Sequence, residues 1–203
     1  MERRELESAA RTYSHLRGLL GVPLGALLIL AALSNWEWGP FRHVWAFAAG
    51  AVVLAGLTLA ISRYYDAHFG RITSTAGDQA RAAAMTVAVA GIVLVGSLVL
   101  RSEADWSLDV PVNALAAALA AGLLTHYAVA VGLRRHHLAI WGSVLVAGLL
   151  PVWGGLDISD TSNVGLLMGG VAAVLSGVLD HHVLVRRFGA ARGLRPEAGS
   201  GGA

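Results

Sequence analysis

The chain has 203 residues, of which 56% are hydrophobic and 14% charged, and its mean hydropathy is +0.62. An ordinary soluble domain is about one quarter charged, so a water-soluble fold around one apolar core is excluded and lipid is the expected solvent. The absence of cysteine excludes disulfides, thiolate metal sites and thiol nucleophiles.

Taken in chain order, Leu6, Ala9, Tyr13, Leu16 and Leu20 recur at helical spacing. They predict an amphipathic segment over 1–15 that lies on a membrane surface and runs into the first span. Six apolar runs follow, at 16–33, 44–61, 83–100, 110–131, 138–156 and 164–185. Each approaches the roughly 20 residues that cross a bilayer as a helix. Ala32-Leu33-Ser34 has the small residues of a signal cleavage site, but Glu2, Glu5 and Glu7 precede it, so the first span is expected to be retained. Pro23 is expected to cost span 1 a backbone hydrogen bond and to kink it, between Gly21 and Gly25, a pair small enough for close helix approach.

The loops 34–43, 101–109 and 157–163 carry Glu37, Glu103, Asp105, Asp109, Asp157 and Asp160. Trp36, Trp38, Trp45, Trp106 and Trp153 lie in or beside them. Tyr64, Tyr65 and Trp141 are expected at the opposite interface, which completes two aromatic belts. The longest internal loop is expected over 63–81, with Thr75 to Asp78 as a helix cap. The Gly- and Ala-rich tail 189–203 is expected to be disordered. The fold class is therefore all-α, a polytopic membrane protein built as a six-transmembrane-helix bundle of three hairpins. It forms one domain, with the bundle over 16–188.

Arginine distribution sets the orientation. Thirteen of the 15 basic residues, all arginine, lie before or at the very start of span 1 or after spans 2, 4 and 6, and only Arg42 and Arg101 lie elsewhere. Positive charge beside span ends stays in the cytoplasm, so both termini are expected inside. The isoelectric point near 9.5 then reflects contact with anionic headgroups, and no nucleic-acid partner is expected. The Ala-, Gly- and Arg-rich usage without lysine suggests a GC-rich, bacterial genome and hence the inner, plasma membrane.

Stripes of small residues at four-residue steps run along two spans: Ala114, Ala118 and Gly122 lead to His126, and Gly165, Gly169, Ala173 and Gly177 lead to His181. A weaker third, Gly56, Ala60, Tyr64 and His68, hints at a three-fold repeat. Such faces are where membrane helices pack backbone to backbone.

His126 lies about 12 Å along the helix from Arg134, within the hydrocarbon of one leaflet, where an ionisable group suggests a site or relay. The alternative is a histidine hydrogen-bonded to a neighbouring helix. Asp180 is the only acid inside a predicted span, and its alternative reading is an interfacial salt bridge to Arg134, Arg135 or Arg186. His126, Asp180 and His181 are the expected substrate or proton path.

Asp66, His68, His136-His137 and Asp180-His181-His182 supply enough donors for zinc or iron. However, neighbouring residues on a helix diverge by about 100°, and no HExxH or HxxxH pattern occurs, so no metal and no cofactor is expected. No GxSG nucleophile, no aspartate run after a DG pair and no paired intramembrane glutamates are present, so no catalytic residue is named. The expected function is a non-enzymatic integral membrane protein, a transport-related or membrane-associated regulatory subunit. Its expected partners are the lipid bilayer and a cytoplasmic or membrane protein, or a second copy. The alternative is an inner-leaflet enzyme using Asp66, His68, Asp180 and His181. A third possibility is an anchor whose arginine-rich ends dock a soluble protein.

Overall fold

The computed structural model describes residues 17–69, 112–128, 132–153, 156 and 158–188. Among these residues the regular structure is entirely helical. A 3₁₀ turn, Gly18–Leu20, leads into α1 (Gly21–Asn35), and a second, Gly39–Arg42, precedes α2 (Val44–Phe69). There follow α3 (Ala114–His126), α4 (Arg135–Leu149) and α5 (Ile158–Phe188). Among the described residues three stretches are long and apolar enough to cross a membrane: Gly18–Asn35, Val44–His68 and Asp160–Arg186. The predicted span 83–100, the segment 1–15, the loop 101–109, the cap at 75–78 and the tail 189–203 lie outside the described residues.

Several boundaries differ from the sequence expectation, each for a local reason. Pro23 falls in the first turn of α1, directly after the 3₁₀ turn. A ring without N–H is tolerated at a helix start, so the break is a change of winding there and not a kink within the span. The predicted loop from 63 begins as helix, because α2 continues to Phe69 and buries Tyr65 completely. At its other end α4 stops at Leu149: Pro151 disfavours helical backbone at the residue before it, and Leu150 is extended with ψ 135°. The predicted loop 157–163 is largely the start of α5, with Asp160 in the first turn, where a negative charge complements the helix dipole.

Lipid provides no hydrophobic drive between helices, so packing rests on close backbone approach. Along the α1–α5 contact, a Cβ added at Gly25 would lie 2.6 Å from the Gly170 carbonyl oxygen. About two turns earlier, Gly18 lies against Gly177 and Asp180. The other face of α5 meets α3 and α4 in a core of Ala116, Ala120, Trp141, Val144, Ala172 and Ala173. By contrast α2 leaves Val52, Val53 and Leu59 more than three-fifths exposed, an apolar surface suited to lipid.

Trp141 and Tyr65 correct the aromatic-belt expectation. Both are fully buried. The alanines of α3 and α5 leave an indole-sized space that Trp141 fills, and Tyr65 packs against Leu184. Trp36, Trp38 and Trp45 are exposed, as belt residues would be.

Polar groups collect at the two ends of the bundle. At one end Asn35 donates to Asn163 Oδ1 at 2.9 Å and Trp36 Nε1 donates to Asp160 at 2.9 Å. Asn113 joins three helices there. Its side-chain oxygen caps α3 by accepting from the Ala116 N–H, its amide donates to the Thr161 carbonyl, and its own backbone N–H donates to Gly148. The opposite end holds Arg17, Arg63, Arg134, Arg135 and Arg186, so among the described arginines only Arg42 lies at the Asn113 end.

Candidate functional site

The arginine-rich end contains two polar clusters that diverge from consecutive residues of α5. Asp180 and His181 are separated by the helical step of about 100°, so they engage different neighbours. Asp180 turns toward the start of α4, and His181 turns toward α2.

Around Asp180, Arg134 Nη1 donates to Oδ1 at 2.7 Å, His136 Nε2 lies 3.0 Å from the same oxygen, and His137 Nε2 lies 3.0 Å from Oδ2. All three donors come from one short stretch, because Arg134 is the cap residue of α4 and the histidines occupy its first turn. The carboxylate is 3% exposed and His137 is fully buried, whereas Arg134 and His136 keep about a fifth of their side chains accessible. The pocket thus has a dry floor and a wetter rim. Tyr127, in the turn that follows α3, stacks on His137 with ring centroids 3.8 Å apart. Trp141 lies one turn beyond His137 on the same face of α4.

Donation to a carboxylate puts the shared proton of each ring on Nε2. His137 Nδ1 then has no hydrogen-bond partner among the described residues, and neither has the buried Ser176 hydroxyl one turn before Asp180. His136 precedes the apolar part of α4. Burial lowers its imidazole below the ordinary histidine value, and the Asp180 carboxylate opposes that shift.

In the second cluster, Tyr65 Oη accepts from the Leu19 N–H at 3.2 Å and lies 3.0 Å from His181 Nδ1. The hydroxyl thus joins the backbone of the 3₁₀ turn to the imidazole of α5. Arg17 pairs with Asp66 and holds its guanidinium carbon 5.5 Å from the Tyr65 ring centre. His68 contacts the Tyr64 carbonyl through Nδ1 at 3.0 Å.

The predicted site residues are thereby distributed. Asp180 is central, and of its proposed arginine partners Arg134 is the one engaged. His181 belongs to the second cluster. Half-buried His126 makes an edge contact with the Tyr127 ring at 6.0 Å and is not among the hydrogen-bond partners of Asp180. Asp66, His68, Asp180 and His181 do not gather into one group. Of the small-residue stripes, Gly25 and Gly177 lie on the α1–α5 contact together with Ala173, which Gly21 approaches. Gly165 faces Asn113, and Gly169 faces Leu119. On α3 the fully buried line is Asn113, Ala116 and Ala120, while Ala114, Ala118 and Gly122 are half-buried.

Adjacent histidines converging on one acceptor overturn the geometric objection drawn from the sequence. A carboxylate offers two oxygens, and rings that diverge at their Cα atoms reach one oxygen each. His136 Nε2, His137 Nε2 and an Asp180 oxygen lie within 4.8 Å of one another. Among the residues that sequence reasoning left out of the site, Arg134 and the two histidines carried a signal: a run of bases at a span end with a single acid available to it. Asn113 carried one too, as a cap residue before an alanine run.

No family model matches the chain, and neither the curated proteins nor the solved structures include a match.

Proposed function

We propose that this chain is a multi-pass integral protein of a bacterial inner membrane, with both termini in the cytoplasm. It is read as a non-enzymatic, transport-related or regulatory subunit that takes up a proton or cation through the cluster centred on Asp180. One observation carries the reading: a carboxylate 3% exposed within a long apolar helix, held by an arginine and two histidines. Ionisable groups are costly in lipid and mark ion or substrate paths. A carboxylate whose counter-charge comes from a neighbouring helix can exchange that counter-charge while the two helices shift.

The chain has no cysteine, so single cysteines report topology directly. Arg135→Cys is expected to resist an impermeant maleimide in intact cells and react after lysis, and Trp38→Cys to react in both. Purified protein in vesicles with a trapped pH dye tests the role of Asp180. The expected result is potential-driven acidification that Asp180→Asn removes. Vesicles with and without the protein behaving identically would end the proton reading.

The second reading, an inner-leaflet enzyme, draws support from the convergence of two histidines and one carboxylate, a donor set that suits metal-assisted chemistry.

A further inference from the structure

We infer that His136, His137 and Asp180 form a binding site for a divalent transition cation of the zinc or iron class, and that Arg134 occupies the carboxylate until the ion displaces it.

The donor set comes first. Two imidazole nitrogens and a carboxylate oxygen lie within 4.8 Å of one another, a separation that ligands around one ion would share after small rotations. Two histidines and a carboxylate suit zinc or ferrous iron, and three protein ligands leave a further position open. Charge agrees with this. The carboxylate is balanced by one guanidinium, so the site binds a cation already, and a divalent ion is a stronger counter-charge in the same place.

The exit for Arg134 is built in. Its side chain is 22% exposed and it precedes the first turn of α4, so the guanidinium can swing to water or headgroups while the helix stays in place. The histidines can also make the exchange. Each now donates from Nε2, and coordination through that atom requires the proton on Nδ1 instead. Among the described residues His137 Nδ1 has no partner, so no second hydrogen bond from them fixes the ring in its present tautomer. Stacking on Tyr127 holds the ring plane without engaging either nitrogen. The ion would enter past Arg134 and His136 at the rim, with His137 as the buried ligand below.

The inference deepens the proposed reading by naming the ligand of the same site, and it rests on that reading only for the side of the membrane that supplies the ion. The test is a titration of the full chain, purified in detergent without a histidine tag and stripped with chelator, using Zn²⁺ in competition with a chromophoric chelator. Co²⁺ serves as a spectroscopic probe. One Zn²⁺ per chain and a tetrahedral or five-coordinate Co²⁺ absorption spectrum are expected. Asp180→Asn and His137→Ala are expected to weaken binding by at least about 10-fold, and His182→Ala to leave it unchanged. Arg134→Gln, which removes the competitor and no ligand, is expected to tighten binding. Substoichiometric Zn²⁺, or affinity that survives both Asp180→Asn and His137→Ala, overturns the inference. Weakened binding in Arg134→Gln overturns the displacement step. Because the titration is done in detergent, its failure leaves the topology and vesicle results standing, and theirs leaves it standing.

Discussion

His137 and Asp180 meet across the α4–α5 contact with Nε2 3.0 Å from Oδ2, the histidine fully buried and the aspartate 3% exposed. Arg134 and His136 close the other oxygen of the same carboxylate. Removing one member of a buried charge pair leaves the other uncompensated, at a cost of about 3–5 kcal/mol. Asp180→Ala should therefore lower stability by about 3 kcal/mol. Arg134→Gln should cost less than about 1 kcal/mol, because its partner retains two histidine donors. Thermal unfolding in detergent of both variants and the double variant measures the coupling. A coupling below about 0.5 kcal/mol would mean that the Arg134–Asp180 pair adds nothing to the fold.

Element type was legible in the sequence, because apolar runs of span length admit little besides helix once lipid is the solvent. Ends were less legible. Pro151 ends α4 at Leu149, seven residues before the apolar run 138–156 does, and the charged stretch 63–69 continues α2 because Tyr65 has a buried place to go. Asp180 stood out as the lone acid in a span. Arg134 was one of three arginines open to it as a partner, but the choice among them and the convergence of His136 and His137 were not legible, since facing α4 against α5 at one depth is a tertiary fact that no single-helix periodicity contains. Trp141 shows the same limit: as a composition signal it marks an interface, whereas the alanines that admit it to the core lie on two other helices.

Asn113 should prove the costliest polar residue at the opposite end. Asn113→Ala removes the α3 cap and the 2.6 Å bond from its amide to the half-buried Thr161 carbonyl. Caps contribute about 1 kcal/mol and an ordinary intramolecular hydrogen bond about 0.5–1.5 kcal/mol, so a total of about 2 kcal/mol is expected in thermal unfolding. Asn113→Asp keeps the capping oxygen but not the donor, and should fall between. Equal losses in the two variants would show that the cap contributes nothing.

Glycines separate into those that permit contact and those that do not. A Cβ at Gly25 would lie 2.6 Å from the Gly170 carbonyl and 2.9 Å from the Val174 nitrogen, and backbone cannot yield as a side chain does. Gly25→Ala is expected to cost about 1–3 kcal/mol through overpacking. At Gly142 an added Cβ meets nothing within 4 Å, so Gly142→Ala should be neutral or gain up to about 1 kcal/mol from helix propensity. Melting temperatures in one detergent check both, and a stable Gly25→Ala protein would rule out the close α1–α5 approach.

Tyr65 ties three elements through a single oxygen: the N–H of Leu19 in the 3₁₀ turn, His181 on α5, and α2 itself. Tyr65→Phe keeps the ring, the packing against Leu184 and the surface under the Arg17 guanidinium, and removes only the hydroxyl. The Leu19 N–H and His181 Nδ1 then lose a partner together. With a stranded buried donor costing about 1–3 kcal/mol and the site half-open at Leu19, a loss of about 1–2 kcal/mol is expected. His181→Ala leaves the Leu19 bond intact and should cost less. Proteolysis between Arg17 and Leu20 gives a local readout: faster cleavage in Tyr65→Phe than in His181→Ala is expected, because the phenol accepts from the Leu19 N–H of that turn and His181→Ala leaves this bond in place. Equal cleavage rates would mean that the hydroxyl adds nothing to the hold on the 3₁₀ turn beyond the Gly18–Gly177 contact, the Arg17–Asp66 pair and the packing of Leu19 and Leu20.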